Sequence, residues 1–186
     1  RLSLVGSEMC IRDSYKEVRE AVGGNYPVLV KLNASDNLEG GLEIDDAVYV
    51  AGKLSGLGID AIEVSAGTPA SGEKAPVRKK IDTQAKEAYH LNLARQIKDA
   101  VSCPVMVVGG MRSYEVAEKA VAESGIDYIS MARPLIREPD LPNRWRDGDR
   151  SPATCISCNG CFAPGIKEGG IYCVVEREKK AGQAER

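Results

Sequence analysis

The chain has 186 residues, of which 43% are hydrophobic and 28% charged, and its formal net charge is -2. This length suits one globular domain of ~100–200 residues, and the balanced charge argues against a nucleic-acid-binding protein, which would carry a basic surplus. Because the sequence contains neither an apolar run approaching the ~20 residues of a membrane helix nor the apolar core of a secretion signal, we expect a cytoplasmic protein without a membrane segment.

The first fourteen residues, RLSLVGSEMCIRDS, show no helical or strand period and resemble translated sequencing-adapter text. No initiator Met precedes them. We therefore expect residues 1–14 to be non-native and leave them out of the fold prediction, with a genuine irregular segment as the alternative. If they are non-native, the chain is a fragment whose natural N-terminal part is missing.

Apolar periodicity predicts alternating helices and strands over residues 15–150. A helix around Tyr15 to Val22 comes first, and β-branched runs typical of strands buried on both faces then alternate with helical patterns. In chain order these are strand 28–30, helix 44–54, strand 61–64, helix 88–101, strand 105–108, a helix between the Ser113 cap and Gly125 with the inner face Ala117, Ala120 and Val121, and strand 128–131. This order predicts a parallel α/β sheet, followed over residues 151–186 by a loop-rich tail that contains cysteines.

Two architectures are compatible with this alternation, an open doubly wound sheet and part of a (β/α)8 barrel. No Gly-x-Gly-x-x-Gly follows the first strand, which argues against a dinucleotide-binding Rossmann unit. Four strands would form half of a barrel, with two unpaired edges and an uncovered inner layer. We expect such a half-barrel to be marginally stable alone or to associate, for example as a homo-oligomer.

Functional residues of parallel α/β folds gather at the carboxyl ends of the strands. Lys31 lies in the otherwise apolar first strand, either in a salt bridge or as a cation that faces an electron-rich ligand. Gly109 and Gly110 follow the third strand, where paired glycines and the next helix N-terminus can approach a phosphate. Ala132 and Arg133 follow the fourth strand, and a guanidinium can make a two-pronged phosphate contact. The last two strand ends therefore predict one shared anion site.

A long polar segment after the second strand, reaching about residue 84, carries the consecutive cations Arg78, Lys79 and Lys80. Connections longer than ~12–15 residues in compact domains are usually lids, binding loops or disordered segments. A solvated lid and a substrate-contacting loop are both compatible with this composition.

Four of the six cysteines cluster in the tail as Cys155-x2-Cys158-x2-Cys161-x11-Cys173. In the absence of a secretion signal, this spacing favours metal or cluster ligands over disulfides. Four thiolates suit a [4Fe–4S] cluster or a tetrahedral zinc ion, and cysteines that bind no metal are the third alternative.

Four runs of the sequence resemble the NADH:flavin oxidoreductase / old yellow enzyme family, namely YPVLVKLN, GIDAIEVSAG, CPVMVVGGM and IDYISMARPLIREPDLPNRW. The likeness covers roughly residues 15–175, and its most specific part runs from Met131 to Pro142. The cysteine tail resembles the branch that includes 2,4-dienoyl-CoA reductase, although the gap between the second and third cysteines is one residue shorter here.

The resemblance implies a (β/α)8 barrel with FMN at its carboxyl mouth, of which this chain supplies strands five to eight, the C-terminal half. It implies that Lys31 lies beside N1 and O2 of the flavin, and that Gly109, Gly110, Arg133 and the Ala132 backbone hold the phosphate. Hydride would pass from NAD(P)H through FMN to a small-molecule or acyl-CoA acceptor. A cluster on the tail cysteines would relay electrons from a reductase domain downstream.

In this family the substrate-binding His/Asn pair and the proton-donating Tyr lie upstream of the matched segment. We therefore expect no catalytic residue in this chain and no turnover by it alone. His90, the only histidine, is predicted in mid-helix as a surface or packing residue. Two other interpretations stay open: another phosphate-binding barrel, such as a dihydroorotate-dehydrogenase-like or isomerase barrel, and a metal-binding electron-transfer or interaction module built around the cysteines.

Overall fold

The computed structural model describes the backbone of residues 2–184 and the side chains of residues 9–183. Within this range the helices and strands are α1 Leu2–Val22, β1 Leu29–Asn33, α2 Ile44–Gly56, β2 Ala61–Ser65, α3 Leu91–Lys98, β3 Val105–Val108, α4 Tyr114–Ser124, β4 Tyr128–Ser130, α5 Arg133–Arg137, α6 Leu141–Arg146, α7 Phe162–Lys167 and α8 Val174–Ala184. Two 3-10 turns, Pro69–Lys74 and Gln84–Lys86, lie between β2 and α3. None of the helices described is both long enough and apolar enough to cross a membrane.

The strands form one parallel sheet in the order β1-β2-β3-β4. One row across the sheet shows the register: Lys31 pairs with Glu63 of β2, which pairs with Met106 of β3, which pairs with Tyr128 of β4. Helices α2, α3 and α4 pack against these strands. The parallel α/β sheet predicted from the sequence is confirmed, as four parallel strands.

The main core lies between the sheet and its helices. It is formed by apolar side chains almost fully removed from water, among them Leu54 of α2, Ile62 and Val64 of β2, Ile97 of α3 and Val107 of β3. Burial of one such side chain stabilises a fold by about 1.5–3 kcal/mol. This layer therefore holds the strands, and with them the strand ends, in fixed relative positions.

The opposite face of the sheet is open within the residues described. Along β1, Leu32 is buried but Leu29 is 51% exposed, and Tyr128 at the start of β4 is 57% exposed. The prediction that the strands are buried on both faces is therefore wrong for β1 and β4, because no described element covers this side. A consecutive strand order with helices on one face is the arrangement that four neighbouring strands of a (β/α)8 barrel adopt.

The two ends of the chain are more helical than the sequence predicts. Helix α1 begins at Leu2, whereas the pattern predicts a helix only from about Tyr15. The tail, predicted to be rich in loops, contains the six-residue helix α7 and the eleven-residue helix α8. A helical conformation is open to natural and non-natural sequences alike, so the non-native origin of residues 1–14 stays a prediction. The division of the chain into segments at residues 14 and 150 also stays a prediction.

Helix α4 has the bounds that its sequence signals predict. Ser113 occupies the N-cap position, and Gly125 ends the helix with φ of +70°, a left-handed conformation that glycine adopts readily. Ala117 and Ala120 are buried as predicted, but Val121 is 43% exposed. The inward prediction for Val121 is wrong, because α4 packs on the edge strand β4 and its outer flank stays uncovered.

A smaller core docks the tail onto the sheet. Leu141 and Trp145 of α6 pack with Ala153 and with Ala117 of α4. The indole Nε1 of Trp145 donates a hydrogen bond to the carbonyl oxygen of Ser151 at 3.0 Å, which fixes the ring orientation. These contacts hold the chain that leads into the cysteine segment beside α4.

Replacement of Ile97 by alanine is expected to lower the free energy of unfolding by about 3 kcal/mol, because this fully buried side chain would leave a cavity. Val121→Ala removes methyl groups from a half-exposed side chain and should change the same quantity by less than about 0.5 kcal/mol. Urea unfolding of both variants beside the natural sequence measures the difference. Equal losses of unfolding free energy in the two variants would show that Ile97 is not part of the buried core.

Candidate anion-binding site

A cavity of about 240 Å³ opens at the carboxyl ends of the strands. Its lining includes all five residues predicted to bind a cofactor: Lys31, Gly109, Gly110, Ala132 and Arg133. Whole small-molecule sites usually measure ~300–1,000 Å³, so this cavity suits one end of a ligand, such as a phosphoryl group. The structure brings the predicted residues together, while their role in binding stays a prediction.

The turn after β3 has backbone conformations that favour glycine. The φ angle is +143° at Gly109 and +72° at Gly110. A Cβ atom on Gly110 would lie 2.7 Å from Cε1 of Tyr89, and one on Gly109 would lie 3.0 Å from Cδ2 of His90. Both glycines are therefore required by the chain's own backbone and packing, whether or not a ligand approaches the turn.

A buried carboxylate binds the two residues that lead into α4, and phosphate binding by the helix N-terminus itself stays a prediction. The carboxylate of Glu87, itself 9% exposed, accepts hydrogen bonds from the backbone N–H of Arg112 at 2.7 Å and of Ser113 at 2.8 Å. It also accepts one from the Ser113 hydroxyl at 2.6 Å. A carboxylate of the protein thus lies beside the N-cap of α4, where the positive end of the helix dipole favours negative charge. Local sequence holds no signal for Glu87, because it reaches α4 only through the tertiary fold.

Arg133, the first residue of α5, is held by its Nη1 atom. This atom donates hydrogen bonds to the backbone carbonyl of Arg78 at 2.7 Å and to Oδ1 of Asn159 at 2.6 Å. Nε and Nη2 of Arg133 have no protein partner among the residues described, and the side chain lines the cavity. The guanidinium therefore keeps one two-pronged edge available for an anion.

Lys31 forms a salt bridge, the first of the two alternatives that its sequence position leaves open, and contact with an electron-rich ligand stays a prediction. Its Nζ lies 2.7 Å from Oε1 of Glu63 on the neighbouring strand, so the lysine is ion-paired. The side chain is nevertheless 55% exposed and lines the cavity. Exposed pairs of this kind contribute ~0–1 kcal/mol, so Glu63 competes only weakly with an anionic ligand for the lysine charge.

The segment between β2 and α3 is held against the cavity by an aromatic ring. The guanidinium of Arg78 lies 4.2 Å from the centre of the Tyr89 ring, and the Tyr89 hydroxyl donates a hydrogen bond to the Pro76 carbonyl at 3.0 Å. A second cavity of about 810 Å³ lies along this segment, and its lining includes four cations: Arg78, Lys79, Lys80 and Lys86. Contact between these cations and a substrate stays a prediction.

His90 is a packing residue, at 1% exposure, and it occupies the N-cap position of α3. The prediction of a mid-helix position is wrong, because α3 begins only at Leu91. Its ring meets that of Tyr89 edge-on, with the ring centres 4.5 Å apart. Burial, assisted by the positive charge of Arg78, lowers the pKa of His90 from 6.5 to about 4, so the imidazole is neutral at pH 7.

The tail cysteines differ in accessibility: Cys155 is buried, Cys158 exposed, and Cys161 and Cys173 half-buried. Among the side chains described, those of residues 9–183, no three or more of His, Cys, Asp or Glu are grouped so that they could hold a metal ion. Burial raises the pKa of the Cys161 thiol. This arrangement does not fit a cluster or zinc, and metal binding by the four cysteines stays a prediction without geometric support.

Known proteins resemble this chain over most of its length. The model of the NADH:flavin oxidoreductase / NADH oxidase family matches residues 11–151. The NADH oxidase of Thermoanaerobacter brockii is 33% identical over 79% of this chain and 22% of its own length. The 4,4'-dithiodibutanoate disulfide reductase of Rhodococcus erythropolis is 30% identical over 85% of this chain and 45% of its own length. The chain thus spans less than half the length of these relatives.

Two solved structures share the arrangement of strands and helices. The 2-naphthoyl-CoA reductase–2-naphthoyl-CoA complex is 32% identical with a TM-score of 0.66, covering 77% of this chain and 22% of that one. The 6-hydroxypseudooxynicotine amine oxidase of Pseudomonas geniculata has a TM-score of 0.73 over 88% of this chain and 24% of its own. At 24% identity the second similarity concerns the fold alone.

Glu87→Ala is expected to lower the free energy of unfolding by about 2–3 kcal/mol, because three hydrogen-bond donors at the start of α4 lose their acceptor. Glu87→Gln, the matched control, keeps one carbonyl oxygen and should lose roughly half as much. Urea unfolding at neutral pH compares the two variants. A glutamine variant no more stable than the alanine variant would show that the acceptor role is wrong.

The natural chain should lose stability as the pH falls from about 6.5 toward 4. In this window the unfolded chain protonates His90 at its ordinary pKa, whereas the folded chain does so only near 4, so the unfolded state binds more protons. Between pH 7 and pH 5 the loss from this group is about 2 kcal/mol. The His90→Gln variant lacks this titration. Urea unfolding at pH 7 and at pH 5 should therefore show that, relative to the variant, the chain with His90 loses about 2 kcal/mol of unfolding free energy at the lower pH. If the difference in unfolding free energy between the two proteins is the same at both pH values, the imidazole is not buried in its neutral form.

Proposed function

Because the chain belongs to the NADH:flavin oxidoreductase / NADH oxidase family, we propose that it binds the phosphate of FMN between the ends of β3 and β4. The observation that supports this is the shared cavity, which Gly109 and Gly110 line from one strand end and Arg133 from the next. Barrels of the (β/α)8 type commonly hold a phosphate between their seventh and eighth strands. We therefore assign β1 to β4 to strands five to eight, the C-terminal half of the barrel.

Each predicted residue has a distinct part in this proposal. Arg133 would present Nε and Nη2 to the phosphoryl oxygens, a charged contact that stabilises binding by about 1.5–3 kcal/mol. The backbone at Gly109, Gly110 and Ala132 would complete the phosphate contacts. Lys31 would lie beside N1 and O2 of the flavin ring, where its positive charge stabilises the negative charge of the reduced form.

Bound FMN would supply hydride transfer from NAD(P)H to an acceptor, either a small molecule with an activated C=C bond or an acyl-CoA. The part of this chain is to bind and orient the cofactor. His90, the one imidazole in the sequence, is buried and is not in the cavity lining, so it offers no proton donor there. We propose that the chain does not turn over alone and that the catalytic side chains belong to other strands of a complete barrel.

The open face of the sheet supports the half-barrel assignment. Leu29, Met106 and Tyr128 line an apolar groove on this face, and two of them are more than half exposed. In a complete (β/α)8 barrel the same face is the interior, which layers of side chains fill. We propose that four further strands cover it in the whole protein, and that pairing of two copies is the alternative cover for the isolated chain.

Arg133→Ala is expected to weaken FMN binding roughly 10- to 100-fold, because a charged hydrogen bond to the phosphate is lost. Titration of the purified protein with FMN, followed by quenching of flavin fluorescence, measures the dissociation constant. Arg146→Ala, which removes a 71% exposed guanidinium paired only with Asp147, is the matched control and should leave binding unchanged. Unaltered affinity in the Arg133 variant would show that this assignment is wrong.

The same titration separates the family function from the other phosphate-binding barrels. A folded protein that binds inorganic phosphate but not FMN would contradict the flavin proposal and favour a barrel of the isomerase type. Binding of FMN with loss of affinity in the Arg133 variant supports the proposal and excludes a module that uses only the cysteines.

A further inference from the structure

Asn159, in the middle of the cysteine segment, lies between two parts of the candidate site. Its Oδ1 atom accepts a hydrogen bond from Nη1 of Arg133 at 2.6 Å, and its Nδ2 atom donates one to the carbonyl oxygen of Val77 at 3.1 Å. The residue has φ of +65°, in the left-handed region that asparagine tolerates better than most residues. Its side chain thus uses both an acceptor and a donor on segments that are distant in sequence.

Two further hydrogen bonds bring the same three segments together. Nη1 of Arg133 also donates to the Arg78 carbonyl at 2.7 Å, and the backbone N–H of Lys80 donates to the Ser157 carbonyl at 3.3 Å. The end of β4, residues 77–80 and residues 157–159 therefore meet at the Arg133 guanidinium. The metal-ligand prediction for the neighbouring cysteines does not account for these contacts.

We propose that Asn159 is a positioning residue that fixes the Arg133 guanidinium for an incoming phosphoryl group. A free arginine side chain carries about 2 kcal/mol of rotamer entropy, part of which is lost when a ligand immobilises it. Here two neutral oxygens already hold Nη1, and the Nε and Nη2 edge stays available. The inference rests on the proposed function, because the phosphoryl group it concerns is that of FMN.

The same contacts link phosphate binding to closure of residues 77–80. If Asn159 and the Arg78 carbonyl hold the guanidinium in its binding orientation, then a phosphate bound there must in turn stabilise those contacts. Occupancy by FMN should therefore make residues 77–80 less accessible. Riboflavin, which lacks the phosphate, should not have this effect.

The test compares FMN with riboflavin on variants of Asn159. Asn159→Gly removes the side chain but allows the positive φ, and should raise the FMN dissociation constant about 5- to 10-fold, as expected for one lost hydrogen bond. Asn159→Asp keeps the shape, and its charge both pairs with Arg133 and repels the phosphate, so its loss of FMN affinity should be larger still. Riboflavin affinity should stay within about twofold in both variants, since the contact acts only through the phosphate.

Asn143→Ala is the matched control, because this exposed asparagine contacts only Asp140 within its own helix turn, at 2.5 Å. It should change neither affinity. Equal losses for FMN and riboflavin in the Asn159 variants would show a general scaffold role and overturn the inference, as would unchanged FMN affinity. Failure of the natural protein to bind FMN would instead overturn the proposed function on which the inference rests.

Limited trypsin digestion gives a readout independent of affinity, because Arg78, Lys79 and Lys80 are consecutive cleavage sites in the linked segment. Saturating FMN should slow cleavage at these residues several-fold in the natural protein, and saturating riboflavin should not. In Asn159→Gly the protection by FMN should be largely lost. Equal protection in the variant and the natural protein would contradict the coupling.

Discussion

The parallel pairing of β3 with β4 is the constraint on which the candidate site depends. Val108 pairs with Ser130, so the two strands end at the same level and the chain leaves both at neighbouring positions. This register sets the height of Gly109 and Arg133 relative to each other. A slip of one residue would move Arg133 and also turn every β4 side chain to the other face of the sheet. The buried helix side of the sheet opposes such a slip, because it would expose the core.

Arginines at this edge of the sheet hold segments that have little regular structure of their own. The guanidinium of Arg112 donates to the backbone carbonyls of Ile81 and Ala153, and the guanidinium of Arg133 contacts the same two regions through other atoms. Backbone carbonyls in loops need partners when they are removed from water. The long segment after β2 and the cysteine segment thus obtain defined positions from two residues that follow β3 and β4.

The burial pattern divides the molecule into a complete side and an incomplete side. Leu54 and Ile97 are fully covered between sheet and helices, whereas Leu29 and Tyr128 on the other face are more than half exposed. The cavity at the strand ends lies at the boundary between these sides and is smaller than a whole cofactor site. Together with the family membership, this is compatible with the proposal that the cavity is one wall of a larger flavin site.

The sequence by itself determined the parallel α/β order, the helix ends at Ser113 and Gly125, and the residues at the strand ends that line the cavity. These are local properties, because apolar period, cap chemistry and position after a strand can be read within a few residues. Only the tertiary structure decided that Glu87 binds the residues that lead into α4 and that Asn159 holds Arg133. Such contacts join segments that lie far apart in the chain, and their partners are chosen by packing and by register between elements, which no local pattern encodes.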